Sequence, residues 1–217
     1  MNHTQQLAPT SMKTSDPSFS FKGIKFVKPN HHRVQNIKIN NDSPRYLANK
    51  VWISSFLMMD YLSSLSLPKG QKIQEIGCGW GAISTYVGKQ FNVKVCASDV
   101  DKNAQPYQAL LNEVNGVNIG FSQASFADMA RQANHNLDML LGADICYNPN
   151  TQRELIDLIS AFMNKPNRQV ILADIGRTPF MRLYKTLESR LTANLTLIQK
   201  SLSLPTQIDG YVLHIIS

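Results

Sequence analysis

Gly77, Gly79 and Gly81 alternate within Ile76-Gly77-Cys78-Gly79-Trp80-Gly81-Ala82, directly after Glu75 at the end of a short strand-like run. Glycine lets a backbone turn sharply and lets a ligand approach the main chain, with the amides of a following helix aimed at it. Asp99 lies 22 positions after Gly77, at the end of the next apolar run. A carboxylate there can accept two hydrogen bonds from the vicinal diol of a ribose. Together these residues suit a nucleotide-like cofactor held at the carboxyl ends of parallel strands. Asp101 is the competing carboxylate, but it fits the cap of a helix starting near Lys102. A glycine triplet also occurs in NAD-binding units and in plain turns.

Such a site needs an alternation of strands and helices to carry it. Strands are expected at 72–76, 93–97, 117–122, 137–142, 169–173, 195–202 and 211–216. Helices are expected between them at 82–90, 102–115, 126–133, 152–163 and 179–191, after an apolar helix over 51–65. This order implies an α/β, doubly wound, mainly parallel seven-stranded sheet with helices on both faces. No helix separates the last two strands, so they should form an antiparallel C-terminal hairpin. A second β-α-β half, more usual in a nicotinamide dehydrogenase, does not follow.

Alternation at 19–22 and again at 34–39 predicts two short strands, a small N-terminal β-hairpin extension. Residues 1–16 are polar and without periodicity, as expected of a disordered tail. The expected organisation is one domain over 17–217, with the β extension at 17–44 and the cofactor-binding core at 45–217.

The charge is uneven. The net charge is +7, and residues 1–50 hold eight basic and two acidic residues. That segment could meet nucleic acid phosphates or an acidic protein face, or serve as a solvated surface. No run approaches the roughly 20 apolar residues of a membrane span. Cys78, Cys96 and Cys146 have no framework or zinc spacing and suit reduced thiols in a cytoplasmic protein. No metal site is expected. H-E-x-x-H, G-x-S-x-G and P-loop patterns are absent, and nothing completes a triad around Ser84 and His135.

The glycine segment resembles the first motif of class I S-adenosylmethionine-dependent methyltransferases, where the loop cradles the amino-acid end of the cofactor. That resemblance implies cofactor contacts from Glu75, Gly77, Gly79, Gly81 and Asp99. It places Ser122-Gln123-Ala124-Ser125-Phe126 along the adenine edge. Ser125 would donate to an adenine nitrogen, and Phe126 would pack on the ring or in the core. Asp144-Ile145-Cys146-Tyr147 resembles the D-x-x-Y signature of seven-strand protein methyltransferases, many of which modify lysine. The paired prolines of adenine amino-methyltransferases are missing.

The resemblance makes Asp144 a cofactor-side and catalytic residue that orients the acceptor amine, and Tyr147 a wall or hydrogen-bond partner for it. A cap and a core tyrosine are the structural alternatives. Val51-Trp52-Ile53-Ser54-Ser55 resembles a Trp-containing segment bordering the cofactor, though Trp52 also suits a core. Asp174-Ile175-Gly176-Arg177-Thr178-Pro179-Phe180 resembles the D-P-G-R-x-x-F segment of lysine methyltransferases acting on the electron-transfer flavoprotein β subunit, with Ile175 in the proline position. The implied activity is N-methylation of a protein lysine. RNA or a small molecule is the alternative acceptor, and a cofactor-binding protein without catalysis is the alternative class.

Overall fold

The computed structural model describes residues 17–42, 44, 50–132 and 136–217. The tail at 1–16, the start of the core at 45–49, and Ala133 and His135 lie outside the described residues. Seven strands form one sheet: β3 (Lys72–Ile76), β4 (Lys94–Asp99), β5 (Gly120–Gln123), β6 (Met139–Ala143), β7 (Gln169–Asp174), β8 (Asn194–Leu202) and β9 (Ile208–Ile216). Their spatial order is β5-β4-β3-β6-β7-β9-β8. The pairs among β3 to β7 are parallel, and β9 runs antiparallel to both β7 and β8. The expected doubly wound sheet with its C-terminal hairpin is therefore present.

Alternation along the strands makes the two faces. Met139, Leu141, Ile171 and Ala173 face one cluster, with α2 (Ser54–Leu62), α3 (Ala82–Gln90) and α4 (Gln105–Asn115). Leu140, Val170 and Leu172 face the other, with α6 (Pro149–Met163) and α7 (Thr178–Arg190), beside α5 (Phe126–Gln132). Leu155, Ile159 and Phe162 form part of the buried stripe of α6, and burying each such side chain contributes ~1.5–3 kcal/mol. The chain winds outward from β3 to β5, then returns to β6 on the other side of β3. The loops leaving β3 and β6 diverge there, opening a crevice at their carboxyl ends.

Local chemistry sets several boundaries. Asn148 and Thr151 form a capping box that starts α6 at Pro149, earlier than expected. A single 3-10 turn, Lys102–Ala104, precedes α4, with Asp101 accepting from the Asn103 amide. Asp101 thus takes the capping role foreseen for it.

The N-terminal extension differs from expectation. Its hairpin is β1 (Ser18–Phe21) and β2 (Ile24–Val27), while residues 34–39 lie within helix α1 (His32–Asn40). Lys22 and Gly23 both have positive φ, at 47° and 78°, which suits a two-residue hairpin turn matching strand twist. In α1, Val34 is buried and Ile37 packs on the core, a spacing of three, whereas Ile39 is exposed. The apparent two-residue alternation was one stripe of a helix. Ile24, Phe26 and Val34 join Phe56 of α2 in the same cluster as the sheet.

Candidate active site

Gly77 follows β3 directly. Its φ is +61°, and a Cβ there would lie 2.7 Å from Ile145 Cγ2 and 3.5 Å from Phe126 Cζ. Only glycine lets the loop pass so close to the β6 side of the crevice. Gly79 donates its amide to Asp99 Oδ2 (2.9 Å), and the Asp101 amide donates to Asp99 Oδ1 (2.9 Å). Each Asp99 oxygen keeps a lone pair, so the fixed carboxylate can still take both hydroxyls of a diol. Burial raises the Asp99 carboxyl above its ordinary range, against the pull of those amides.

Glu75 and Gly81 have other duties. The Glu75 carboxylate turns beneath the loop and accepts the amides of Ser84 (2.8 Å) and Ile83 (3.4 Å) at the start of α3. Burial pushes it up to about 7, with Asp99 adding to the rise and the Ser84 and Ile83 bonds opposing it. Glu75 thus caps a helix from below. A Cβ on Gly81 would lie 2.7 Å from Gln108 Cγ, so that glycine serves α3–α4 packing.

Gly77, Gly79 and Asp99 line one cleft together with Trp52, Ser125, Phe126, Asp144 and Tyr147. Eight of the ten residues singled out in the sequence therefore converge. Ser125 lies at the cleft, but its hydroxyl donates to Asp128 Oδ2 (2.6 Å) and accepts the Asp128 amide (3.0 Å). Its hydrogen is held by the start of α5, not aimed at a cofactor. Phe126 both lines the cleft and packs on the lower core. Trp52 carries the Lys50 ammonium over its ring at 4.2 Å.

The other end of the cleft is built around a carboxylate pair. Asp144 follows β6 with φ +59°, a left-handed conformation that Asp tolerates better than most residues. Its Oδ2 accepts the Ser54 amide (2.9 Å), and its Oδ1 receives Arg177 Nη2 (2.7 Å). Arg177 also donates from Nε (3.0 Å) and Nη2 (2.6 Å) to Asp174 Oδ2. Asp174 in turn accepts the amides of Gly176 (3.0 Å) and Arg177 (2.8 Å) on Oδ1. Burial raises the Asp144 carboxyl, opposed by the Ser54 bonds and by Arg177. Burial likewise pushes the Cys146 thiol up to about 12, so it is no nucleophile.

Arg177, Thr151 and Glu154 line the cleft and were not singled out as site residues. Arg177 was legible as part of its segment, but its bond to Asp144 spans 33 positions. Glu154 gave one signal, its spacing of three after Thr151, which puts the two on one face at the start of α6.

The family model for lysine methyltransferases matches residues 31–185. The chain belongs to the lysine methyltransferase family. None of the curated proteins matches it. Among solved structures, a methyltransferase from Pyrococcus furiosus is 17% identical, with a TM-score of 0.61 over 85% of this chain and 95% of that one. An rRNA methylase from Streptococcus thermophilus is 9% identical, with a TM-score of 0.58 over 77% of this chain and 98% of that one. A tRNA (uracil-54, C5)-methyltransferase from Pyrococcus abyssi, in complex with S-adenosyl-L-homocysteine, is 17% identical at TM-score 0.53, over 74% of this chain and 37% of that one. At these identities the likeness is one of fold.

This family member is a methyltransferase, and S-adenosylmethionine is its cofactor. The cleft fits that molecule: the glycine turn leaves room that a Cβ would fill, and Asp99 keeps two acceptors for a diol. No group of three or more His, Cys, Asp or Glu suited to a metal occurs among the described residues. No helix among them is long and apolar enough to cross a membrane.

Proposed function

We propose that this chain methylates the side-chain nitrogen of a protein lysine, and does so in the cytoplasm. One observation carries the acceptor class beyond the family assignment. Asp99, Asp144 and Glu154 line the cleft against the single guanidinium of Arg177. Asp174 stands behind as a further carboxylate. Such a lining favours a cationic acceptor and repels phosphates. Cys78, Cys96 and Cys146 are all free thiols, in keeping with a reducing compartment.

When bound, S-adenosylmethionine supplies an electrophilic methyl group on a sulfonium. The protein's part is placement. Asp99 holds the ribose and the glycine loop the amino-acid end, while Trp52 and Phe126 wall the cleft. Asp144 and Tyr147 border the place where the acceptor nitrogen arrives. Fixing that nitrogen in line with the methyl converts a bimolecular encounter into an oriented one, worth up to ~7–11 kcal/mol of barrier. A low-water slot also favours the neutral amine, which has the lone pair that attacks.

RNA is the second reading, favoured by the basic N-terminal quarter. Part of that charge is already committed: Lys22 pairs with Asp60 (2.9 Å), and Arg33 pairs with Glu113. Methyl-labelled cofactor incubated with the protein and a cell extract separates the readings. Label on a discrete band that survives ribonuclease and vanishes with protease is expected. Label destroyed by ribonuclease would give the site to RNA.

A further inference from the structure

We propose that Glu154 is the residue that selects a cationic acceptor, its carboxylate receiving the ammonium of the incoming side chain. This rests on the lysine reading above. The acidic groups of the cleft are not equivalent. Asp99 is fixed by the Gly79 and Asp101 amides at the nucleoside end. Asp144 already receives the Ser54 amide and the Arg177 guanidinium. Glu154 lines the same cleft, is half-buried, and has no ion pair among the described residues.

Its neighbours do not supply the missing charge. Thr151, one turn back on α6, spends its hydroxyl on the capping box with Asn148. Arg153, beside it in sequence, bonds to Asn150 (2.7 Å) on the exposed side. Arg177 is divided between Asp144 and Asp174. The cofactor brings one net positive charge, and the lining holds two more negative than positive groups, a balance that Asp174 behind the wall and Lys50 over the Trp52 ring leave unchanged, so one negative charge remains to be matched. An acceptor ammonium matches it, and Glu154 is the lining carboxylate that, among the described residues, has neither a cation nor the pair of main-chain amides that fixes Asp99.

The position also has a structural logic. Thr151 and Glu154, three apart on the first turns of α6, both line the cleft, as does Tyr147 of the D-x-x-Y segment just before the helix. A carboxylate there meets a side chain on its way in. It holds the cation without touching the nucleoside end.

Two analogues of S-adenosylhomocysteine test this without knowledge of the natural substrate. In both, a nitrogen replaces the sulfur. One carries a 2-aminoethyl arm, whose terminal ammonium reaches toward the acceptor position, and the other carries a neutral propyl arm of the same length. Calorimetry on the full chain should give the aminoethyl compound at least about tenfold tighter binding than the propyl one. Glu154→Gln should bring the two within about twofold, with S-adenosylhomocysteine itself bound as by the wild type. A wild-type protein that does not prefer the charged arm would overturn the cationic slot, and the lysine reading with it. A preference kept in Glu154→Gln would overturn only the assignment to Glu154. Unchanged S-adenosylhomocysteine binding in the variant shows that the cofactor half is intact.

Discussion

The two ends of the cleft are built by different means. At the β3–β4 end, main-chain amides and the two carboxylates they bond do the holding: Gly77 gives room, Gly79 and Asp101 donate to Asp99, and Glu75 braces the loop from below. At the β6–β7 end, side-chain charges do it, through Asp144, Arg177 and Asp174, with Ser54 drawn in from 90 positions away. A backbone-built site suits a ligand that never changes. An ion network leaves a charge pattern that outward residues such as Glu154 can tune to an acceptor. The cofactor end should therefore tolerate little change in shape, and the acceptor end little change in charge.

The largest expected effect is steric. Gly79 has φ +50° and lines the cleft, so Gly79→Arg fills ligand space. Affinity for S-adenosylmethionine should fall at least about 100-fold by calorimetry, with the circular dichroism spectrum retained. Unchanged affinity would break the claim that the loop forms the cofactor end.

Arg177→Met probes the other end. It leaves Asp144 and Asp174 buried without their shared cation, and breaking such a pair costs ~3–5 kcal/mol when fully buried. Arg177 is itself about a quarter exposed, at 24%, so a loss of roughly 2–3 kcal/mol in urea unfolding is expected. Removing the Asp144 charge as well, in Asp144→Asn with Arg177→Met, should cost less than the sum of the two single changes.

Glu75 gives a pH signature. Its folded pKa, about 7, lies above the ordinary 4.5. The folded state therefore binds this proton more tightly. The resulting stability is fully present below about pH 4.5 and is lost as pH rises toward 7. At ~1.4 kcal/mol per unit, the wild type should lose up to roughly 3 kcal/mol from this group over that window. Glu75→Gln, neutral throughout, should show a correspondingly flatter stability profile in parallel urea titrations. Equal slopes in the two proteins would show that the carboxylate is ionised in its pocket.

The smallest effect belongs to Asp99. Asp99→Ala removes two acceptors but leaves the loop and its glycines. At least about a tenfold loss of cofactor affinity, 1.4 kcal/mol, is expected by calorimetry. A larger loss in Asp101→Ala would move the diol to the other carboxylate.

What was legible in the chain follows the same division. The glycine turn, Asp99 and the helix after it are local patterns, and they lie where the sequence places them. The order of seven strands and the closing hairpin were legible too, because buried parallel strands read as short apolar runs between helices. Arg177's bond to Asp144 was not, since it depends on how β6 and β7 lie side by side. The resemblance points to Ser125 by position alone, whereas its hydroxyl serves the nearby Asp128. Two-residue alternation over the six positions 34–39 fits a strand and equally a helix with Val34 and Ile37 inward, which is the one formed. The Lys22-Gly23 turn was the missed signal, with Ile24, Phe26 and Val27 behind it.

The acceptor chemistry is tested most directly on the methylated product. The labelled band, taken to free amino acids by acid hydrolysis, should yield label that co-elutes with ε-N-methylated lysine. Label recovered on another amino acid, or on a nucleobase, would contradict the account.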